Sequence, residues 1–507
     1  MRFLLCAVLA CSTLLAQGPG VDEAALRAHL AFLADDVLEG RGTGQRGGEL
    51  AVRYLETQLQ VLGLRPANGT SYRQTVRLSG LRLDAAASGL RFEGAKGGLA
   101  PLLGTDLVMG AAAAETAVAV DAPLMFVGHG ITDDGRDDYK GLDVRGRLLV
   151  MLVGDRQGGM PLCCEEKNLQ GRWTAKFEEA RRRGAAGALL VHTDASAGYG
   201  WPVVRNGWVQ ERFQREGTGQ PGAIQGWISE PFARRLFASA GQDFDALRAG
   251  AEAPSFRPVN LPIQARGRLS NTVRSLEQWN VAGILPGTDP ALKQELVIYS
   301  AHWDHFGKGA DGAVYAGAVD NATGCAAVLA LAQALVHRPL GRSVMFLFPC
   351  AEEMGLLGAS AYVAAPLWPL ARTVLNINLE SLNVIGPTRD IGLLGSNDPK
   401  LRSLCARAAE ATGLVIAAAK ADPAGLCFRS DHFPFMKAGV PALSPGFSLD
   451  GGWDYLGDKA AAQRKASDFL NHYHRPTDRY DPAWNLEGLM QQVRFALELG
   501  RLAASAR

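Results

Sequence analysis

Apolar positions recur along this chain with different spacings, and the changes in spacing mark out its regions. Leu26, Leu30 and Leu33 form an i, i+4, i+7 stripe behind Asp22 and Glu23, which predicts a helix with acidic residues at the positive end of its dipole. A second stripe, Ala51, Leu55, Leu59 and Leu62, stops at Gly63. Between the two lies Glu39-Gly40-Arg41-Gly42-Thr43-Gly44, too rich in glycine for either element. From about residue 100 to 262 the apolar runs shorten and are split by Gly, Asp and Pro. Strands are expected at 124–127, 148–153 and 188–191 and a helix at 173–183, so this stretch reads as a β-rich module of its own. From Asn280 onward, strand-length apolar runs at 296–299, 344–348 and 373–379 alternate with helical stretches, the pattern of a largely parallel sheet covered on both faces. The helix after Asp320 is apolar on nearly every side and is expected to be buried, and residues 486–504 close the chain as a helix.

At 507 residues the chain is too long for one ordinary core. With 52 basic and 51 acidic residues and no long run of either sign, nothing asks for nucleic acid or an anionic surface. Residues 1–19 carry one arginine, an apolar run and a small-residue break, as a cleaved export signal does. That run is shorter than the roughly 20 residues of a bilayer-spanning helix. No transmembrane span is expected, and the mature protein should be periplasmic or extracellular. Val8-Leu9-Ala10-Cys11 also resembles a bacterial lipoprotein cleavage box, with Leu9 departing from the pattern; that alternative places a lipid on Cys11. Export permits disulfides. Cys405 with Cys427 is the first pair to test, adjacent Cys163 and Cys164 are not expected to pair with each other, and Cys325 and Cys350 lie in apolar runs that read as core. The acidic stretch at 133–138 lacks the glutamate that closes a calcium loop and is read as a solvated loop.

Candidate chemistry concentrates after residue 280. His302 follows one predicted strand, Glu352 and Glu353 a second, and Glu380 a third, and in open α/β sheets ligand sites gather beyond the carboxyl ends of strands. Together with Asp320 and His474 these are the residue types that hydrolytic metal chemistry needs, in number sufficient for two ions. Asp320 suits a bridging carboxylate. Adjacent glutamates can divide the labour, Glu353 binding metal while Glu352 acts as general base. His305 and His432 are read as structural or hydrogen-bonding. Tyr473 could donate to a developing oxyanion or pack beside His474.

The ordered stretches SAHWDH, GAVDNATG, EEMGLLGAS, NINLES, RSDHFPF and NHYHRPTD resemble the co-catalytic di-zinc aminopeptidases, a family that includes bacterial leucyl-type aminopeptidases, glutamate carboxypeptidase and the inactive transferrin receptor. The module between resembles their inserted protease-associated (PA) domain in FVGHGI, GLDVRGRLLVMLVG and KFEEARRRGAAGALLV. After the signal at 1–19, the resemblance implies an α/β zinc exopeptidase fold with a largely parallel mixed sheet between helices, the first part of the peptidase domain at 20–99, the β-rich insertion at 100–265 and the catalytic domain at 266–507. It implies one zinc on His302, Asp320 and Glu380 and another on Asp320, Glu353 and His474. Glu352 becomes the base, Asp304 the carboxylate that orients His302, and Asp320-Asn321 the place of a cis peptide. The family usually has aspartate where this chain has Glu380. The expected activity is removal of amino-terminal residues from peptides; carboxypeptidase, glutaminyl cyclase-like enzyme and inactive binding protein are the alternatives on the same fold.

Overall fold

A computed structural model describes residues 20–133, 136–154, 166–197, 199–309, 311–418, 426–446 and 453–505. Residues 1–19, read above as an export signal, with Cys11, and Cys163 and Cys164 lie outside these residues. The two expected N-terminal helices span Glu23–Leu33 and Arg46–Val61, and the Asp22 carboxylate caps the first by accepting the Ala24 and Ala25 amides.

The segment from residue 280 onward, expected above to be catalytic, is built on a sheet in which Ala442–Pro445, Thr373–Asn378, Leu296–Ser300 and Ser343–Phe348 lie side by side in parallel. Antiparallel strands flank them, Leu393–Gly395 at one side and Val259–Leu285 at the other. Strands buried on both faces need no alternation, and Leu296–Ser300 and Ser343–Phe348 are buried at every position. The helix Thr323–Val336 is buried nearly throughout, as its all-round apolarity predicts. The closing helix Glu487–Ser505 packs Leu489, Val493, Phe495, Ala496 and Leu499 into the same core.

The strand Val259–Leu285 runs on into the β-rich stretch expected above to be a module of its own, pairing there with Gly89–Gly94 and Ala117–Phe126. It thus joins the two halves through one continuous ladder. The module adds a parallel run of Ala117–Phe126, Leu148–Leu152, Gly187–His192 and Ile224–Ser229, with helices at Trp173–Arg182, Trp201–Val209, Glu230–Ser239 and Phe244–Ala251. Its core draws Leu81, Leu90 and Phe92 from ahead of residue 100.

Two expectations are corrected. The acidic stretch forms a short antiparallel pair, Thr132–Asp133 with Arg136–Asp137, and Asp138 is fully buried, its carboxylate accepting the Ile131 amide at 3.1 Å. A carboxylate can leave water there because the chain itself supplies a donor. Cys405 is a free buried thiol while Cys427 is disulfide-bonded, so they do not pair; the partner of Cys427 is not among the described residues. Cys405 faces the main core from the helix Pro399–Ala411, whereas Cys427 packs with Leu394 in a separate cluster.

Candidate metal centre

Three neighbouring parallel strands end at one edge of the sheet. His302 follows Leu296–Ser300, Glu352 and Glu353 follow Ser343–Phe348, and Glu380 follows Thr373–Asn378. Asp320 comes from the turn ahead of the helix Thr323–Val336, and its bond to Asn321 is cis, as the resemblance implies. His474 arrives from beyond the helix Lys459–His472. Non-glycine residues in the left-handed region adjoin or form these groups: Ala351 (φ 52°) before Glu352, Ser381 (φ 50°) after Glu380, and His474 itself (φ 55°). Such conformations are unfavourable for side-chain-bearing residues and concentrate where a side chain must be aimed.

The aim is at one another. Asp320 spans the centre, with Oδ1 3.3 Å from His302 Nε2 and Oδ2 3.2 Å from His474 Nε2. Glu353 offers Oε2 to His474 Nε2 at 3.1 Å and Oε1 to His305 Nδ1 at 2.5 Å. Glu352 lies with Oε2 3.9 Å from His302 Nε2. Glu380 Oε2 accepts from Ser430 Oγ at 2.5 Å and from Asn378 Nδ2 at 3.2 Å. Two clusters could each hold a metal ion: His302, Glu352 and Glu380, and His305, Asp320 and Glu353, with donor atoms in each within 4.8 Å of one another. His302 Nε2, His305 Nε2 and Asp320 Oδ1 are all buried without a hydrogen-bond partner. A buried polar atom left so among the described residues is costly, and His302 Nε2 and Asp320 Oδ1, 3.3 Å apart, fit a cation bound by both.

Asp304 lies beneath the centre, fully buried. His302 Nδ1 is 3.1 Å from its backbone carbonyl and 3.9 Å from its carboxylate. That carboxylate accepts the Glu352 amide at 3.0 Å and the Thr43 hydroxyl at 3.4 Å. Its side-chain geometry therefore fixes the backbone of Glu352 more closely than the ring of His302.

Negative charge is in excess. Burial lifts Asp304 to about 6 and Glu380 to about 7, and raises Glu352 well above an ordinary glutamate. Burial also opposes the ionisation of Glu353, yet His474 and His305 beside it hold it at about 2. Burial lowers His474, but Glu353 and Asp320 outweigh it and bring the imidazole to about 9. Tyr473 stacks its ring on His474 at 3.7 Å between centroids. His432 is fully buried and held down to about 3 by that burial, with Nε2 3.7 Å from Cys427 Sγ.

Three contributors are missing from the residues picked out in the sequence. Arg41 is fully buried and donates to the carbonyls of Trp303 (2.9 Å), Ala316 (2.6 Å), Gly317 (2.8 Å) and Leu33 (2.5 Å), tying the N-terminal helices to the loops that carry His302 and Asp320. Asp478 accepts the amides of Val319 (2.9 Å) and Asp320 (3.1 Å), and burial lifts it to about 6. Asp431 is fully buried, with neither carboxylate oxygen hydrogen-bonded among the described residues, and burial raises it well above the carboxylate range. The available signals were an arginine alone among glycines and acids inside RSDHFPF and NHYHRPTD. The module closes one side: Asn206 Nδ2 donates to the His474 carbonyl at 3.4 Å.

The family model for peptidase family M28 matches residues 280–497. No curated protein matches the chain. Among solved structures the chain is similar to an aminopeptidase from Aneurinibacillus sp. strain AM-1, with a TM-score of 0.57 at 18% identity over 96% of this chain and 94% of that one. It is also similar to BSAP, a zinc aminopeptidase from Bacillus subtilis, with a TM-score of 0.53 at 17% identity over 97% of each. At these identities the likeness is one of fold.

Proposed function

We propose, from the match of residues 280–497 to the model of peptidase family M28, that this chain is an exported zinc-dependent aminopeptidase of that family. The observation that carries the reading is the Asp320 carboxylate, one oxygen turned to His302 and the other to His474. That disposition supports reading Asp320 as a ligand that two ions would share. One zinc would be held by His302, Asp320 and Glu380, the other by Asp320, Glu353 and His474. His305 fixes Glu353 by its hydrogen bond, and Asp478 fixes the backbone of Asp320. Zinc at such a site supplies a Lewis acid for the scissile carbonyl and lowers the pKa of water to about 7.

The protein's own part is proton handling and placement. Glu352 takes the proton of the attacking water and returns it to the leaving amine. Its raised pKa suits a group that must both accept and donate near neutrality. Asp304, through the Glu352 amide, keeps that carboxylate where it faces His302. Export rests on residues 1–19, and the activity would then be met outside the cytoplasm.

The test is hydrolysis of aminoacyl anilides and peptides beside their amino-acetylated counterparts, before chelation, after it, and after zinc is restored. Cleavage of free-amine substrates alone, abolished by chelator and recovered with zinc, is the expected result. Cleavage that instead requires a free carboxyl terminus would make the enzyme a carboxypeptidase. Cyclisation of amino-terminal glutamine would make it a cyclase, and no turnover at all a binding protein.

A further inference from the structure

A cavity of about 310 Å³ opens between the module and the catalytic segment and reaches the metal centre at His305 and Met354. It meets the centre at its Glu353 and His474 end, since His305 bonds Glu353 and the ring of Phe306, also in the wall, lies 4.7 Å from that of His474. The near wall is apolar: the rings of Phe306 and Tyr315 meet edge to face at 6.1 Å, with Met354 alongside and Val209 opposite. Val209 is 60% exposed, an apolar side chain that the module presents to this space without covering it.

The rim is cationic. Arg205 from the module and Lys308 from the catalytic segment both line the cavity; Arg205 donates to Asn206 Oδ1 at 3.3 and 3.4 Å, and neither cation is paired with a carboxylate among the described residues. Of the two acids in the wall, Glu211 is already held by Arg274 at 2.6 and 2.9 Å, and Arg82 stands 3.9 Å from it. Asp311 accepts the Ala313 amide at 3.1 Å and is the acid left to oppose three cations. The helix Trp201–Val209 that carries Arg205 is pinned to the centre through Asn206. Arg205 therefore keeps a set position relative to the reacting atoms.

An apolar wall leading to cations that lack a close carboxylate partner recognises a group with an apolar stem and an anionic end. We propose that this cavity receives a carboxylate-bearing part of the peptide substrate, and that Arg205 and Lys308 determine the preference for it. The proposal rests on the peptidase reading. The carboxylate has two sources, the free carboxyl terminus of a short peptide or an acidic side chain.

The experiment compares Leu-Leu, its amide Leu-Leu-NH2 and the acidic peptide amide Leu-Glu-Ala-NH2 on the zinc-loaded full chain, in the wild type, Arg205→Ala, Lys308→Ala and the double variant Arg205→Glu/Lys308→Glu. Charge-assisted contacts of this kind are each worth about a factor of ten. The selectivity for a carboxylate-bearing peptide over the neutral amide should fall about tenfold in each single variant and further in the double one, through KM more than kcat. A fall confined to Leu-Leu identifies the terminus, and one confined to the glutamyl peptide identifies the side chain. An unchanged ratio for both overturns the proposal. Calorimetric binding of the same peptides to zinc-loaded Glu352→Gln protein separates the two readings: no cleavage by the wild type but Arg205-dependent binding of acid over amide would sink the peptidase and keep the pocket.

Discussion

In the module, the strands Leu148–Leu152 and Gly187–His192 are as buried as Leu296–Ser300 and Ser343–Phe348 in the catalytic segment, and both halves bury ionisable side chains beside them. The treatment of those side chains differs. His129 bonds the Gly154 carbonyl and Glu252, Lys176 donates to the His129 carbonyl, and His192 meets the Tyr199 carbonyl at 2.9 Å. Around the centre, by contrast, His302 Nε2, His305 Nε2, Asp320 Oδ1 and both Asp431 carboxylate oxygens have no hydrogen-bond partner among the described residues, although ion-pair contacts of 2.5–3.3 Å cross the site, and acids crowd one another. Buried groups whose hydrogen bonds are met within the chain maintain architecture, while buried polar atoms left without one need something the chain does not supply. Arg172 is an exception in the module. Burial and then Arg429 pull its guanidinium down to about 10, while Glu352 across the boundary pulls the other way.

This comparison can be broken most forcefully at Glu352. Glu352→Gln should lower kcat by about 10²- to 10⁴-fold, the usual weight of a general base, while elemental analysis finds zinc retained. Full turnover would remove the base from the account. Leu189, fully buried in the module's core, probes the other half. Leu189→Ala should cost about 2–5 kcal/mol in denaturant unfolding, with unchanged zinc content in the folded fraction; lost zinc would show the halves to be less separate than described.

The pH dependence of the chelated protein sharpens the contrast further. Asp304 and Asp478 stand at about 6 against 3.8 for the free side chain, Glu380 at about 7 against 4.5, and His474 at about 9 against 6.5. A group with a raised folded pKa binds more protons folded than unfolded between the two values, so its contribution is lost as pH rises through that window. The acids act between about pH 4 and pH 7 and His474 between about 6.5 and 9. Glu353, at about 2, acts only on the acid side of these. The Tm of chelated protein should thus fall from pH 5 to pH 9, and restored zinc should flatten the decline; a Tm that rises with pH would contradict the charge balance drawn here. The smallest effect is expected at the boundary: Asn206→Ala removes one 3.4 Å contact to the His474 carbonyl and should cost about 1 kcal/mol or less in kcat/KM.

Much of this was legible in the sequence because periodicity reports burial directly. The strand-length runs near 296, 344 and 373 and the all-round apolar helix after Asp320 fall where the pattern predicts them. His302, Glu352, Glu353 and Glu380 were readable because they interrupt apolar runs at strand ends, whereas Asp320 precedes a helix and His474 follows one. What escaped depends on partners remote in sequence. Arg41 looks like a loop residue until the carbonyls of 303, 316 and 317 close around it, and Asp138 looks solvated until the Ile131 amide meets it. The long strand Val259–Leu285 carries polar residues through its middle, where Arg274, Ser275 and Glu277 pair with the strand Arg73–Leu83, so no apolar run marks its length. The cysteines misled because distance in sequence says nothing of which core each thiol faces.

The most direct test of the central claim is the number of zinc ions that metal-free protein takes up, counted by elemental analysis after equilibrium dialysis, for the wild type and for His474→Ala. The account predicts close to two ions per chain in the wild type and about one in the variant. A wild type that holds a single ion, unaffected by the loss of His474, would contradict a centre in which Asp320 is shared between two.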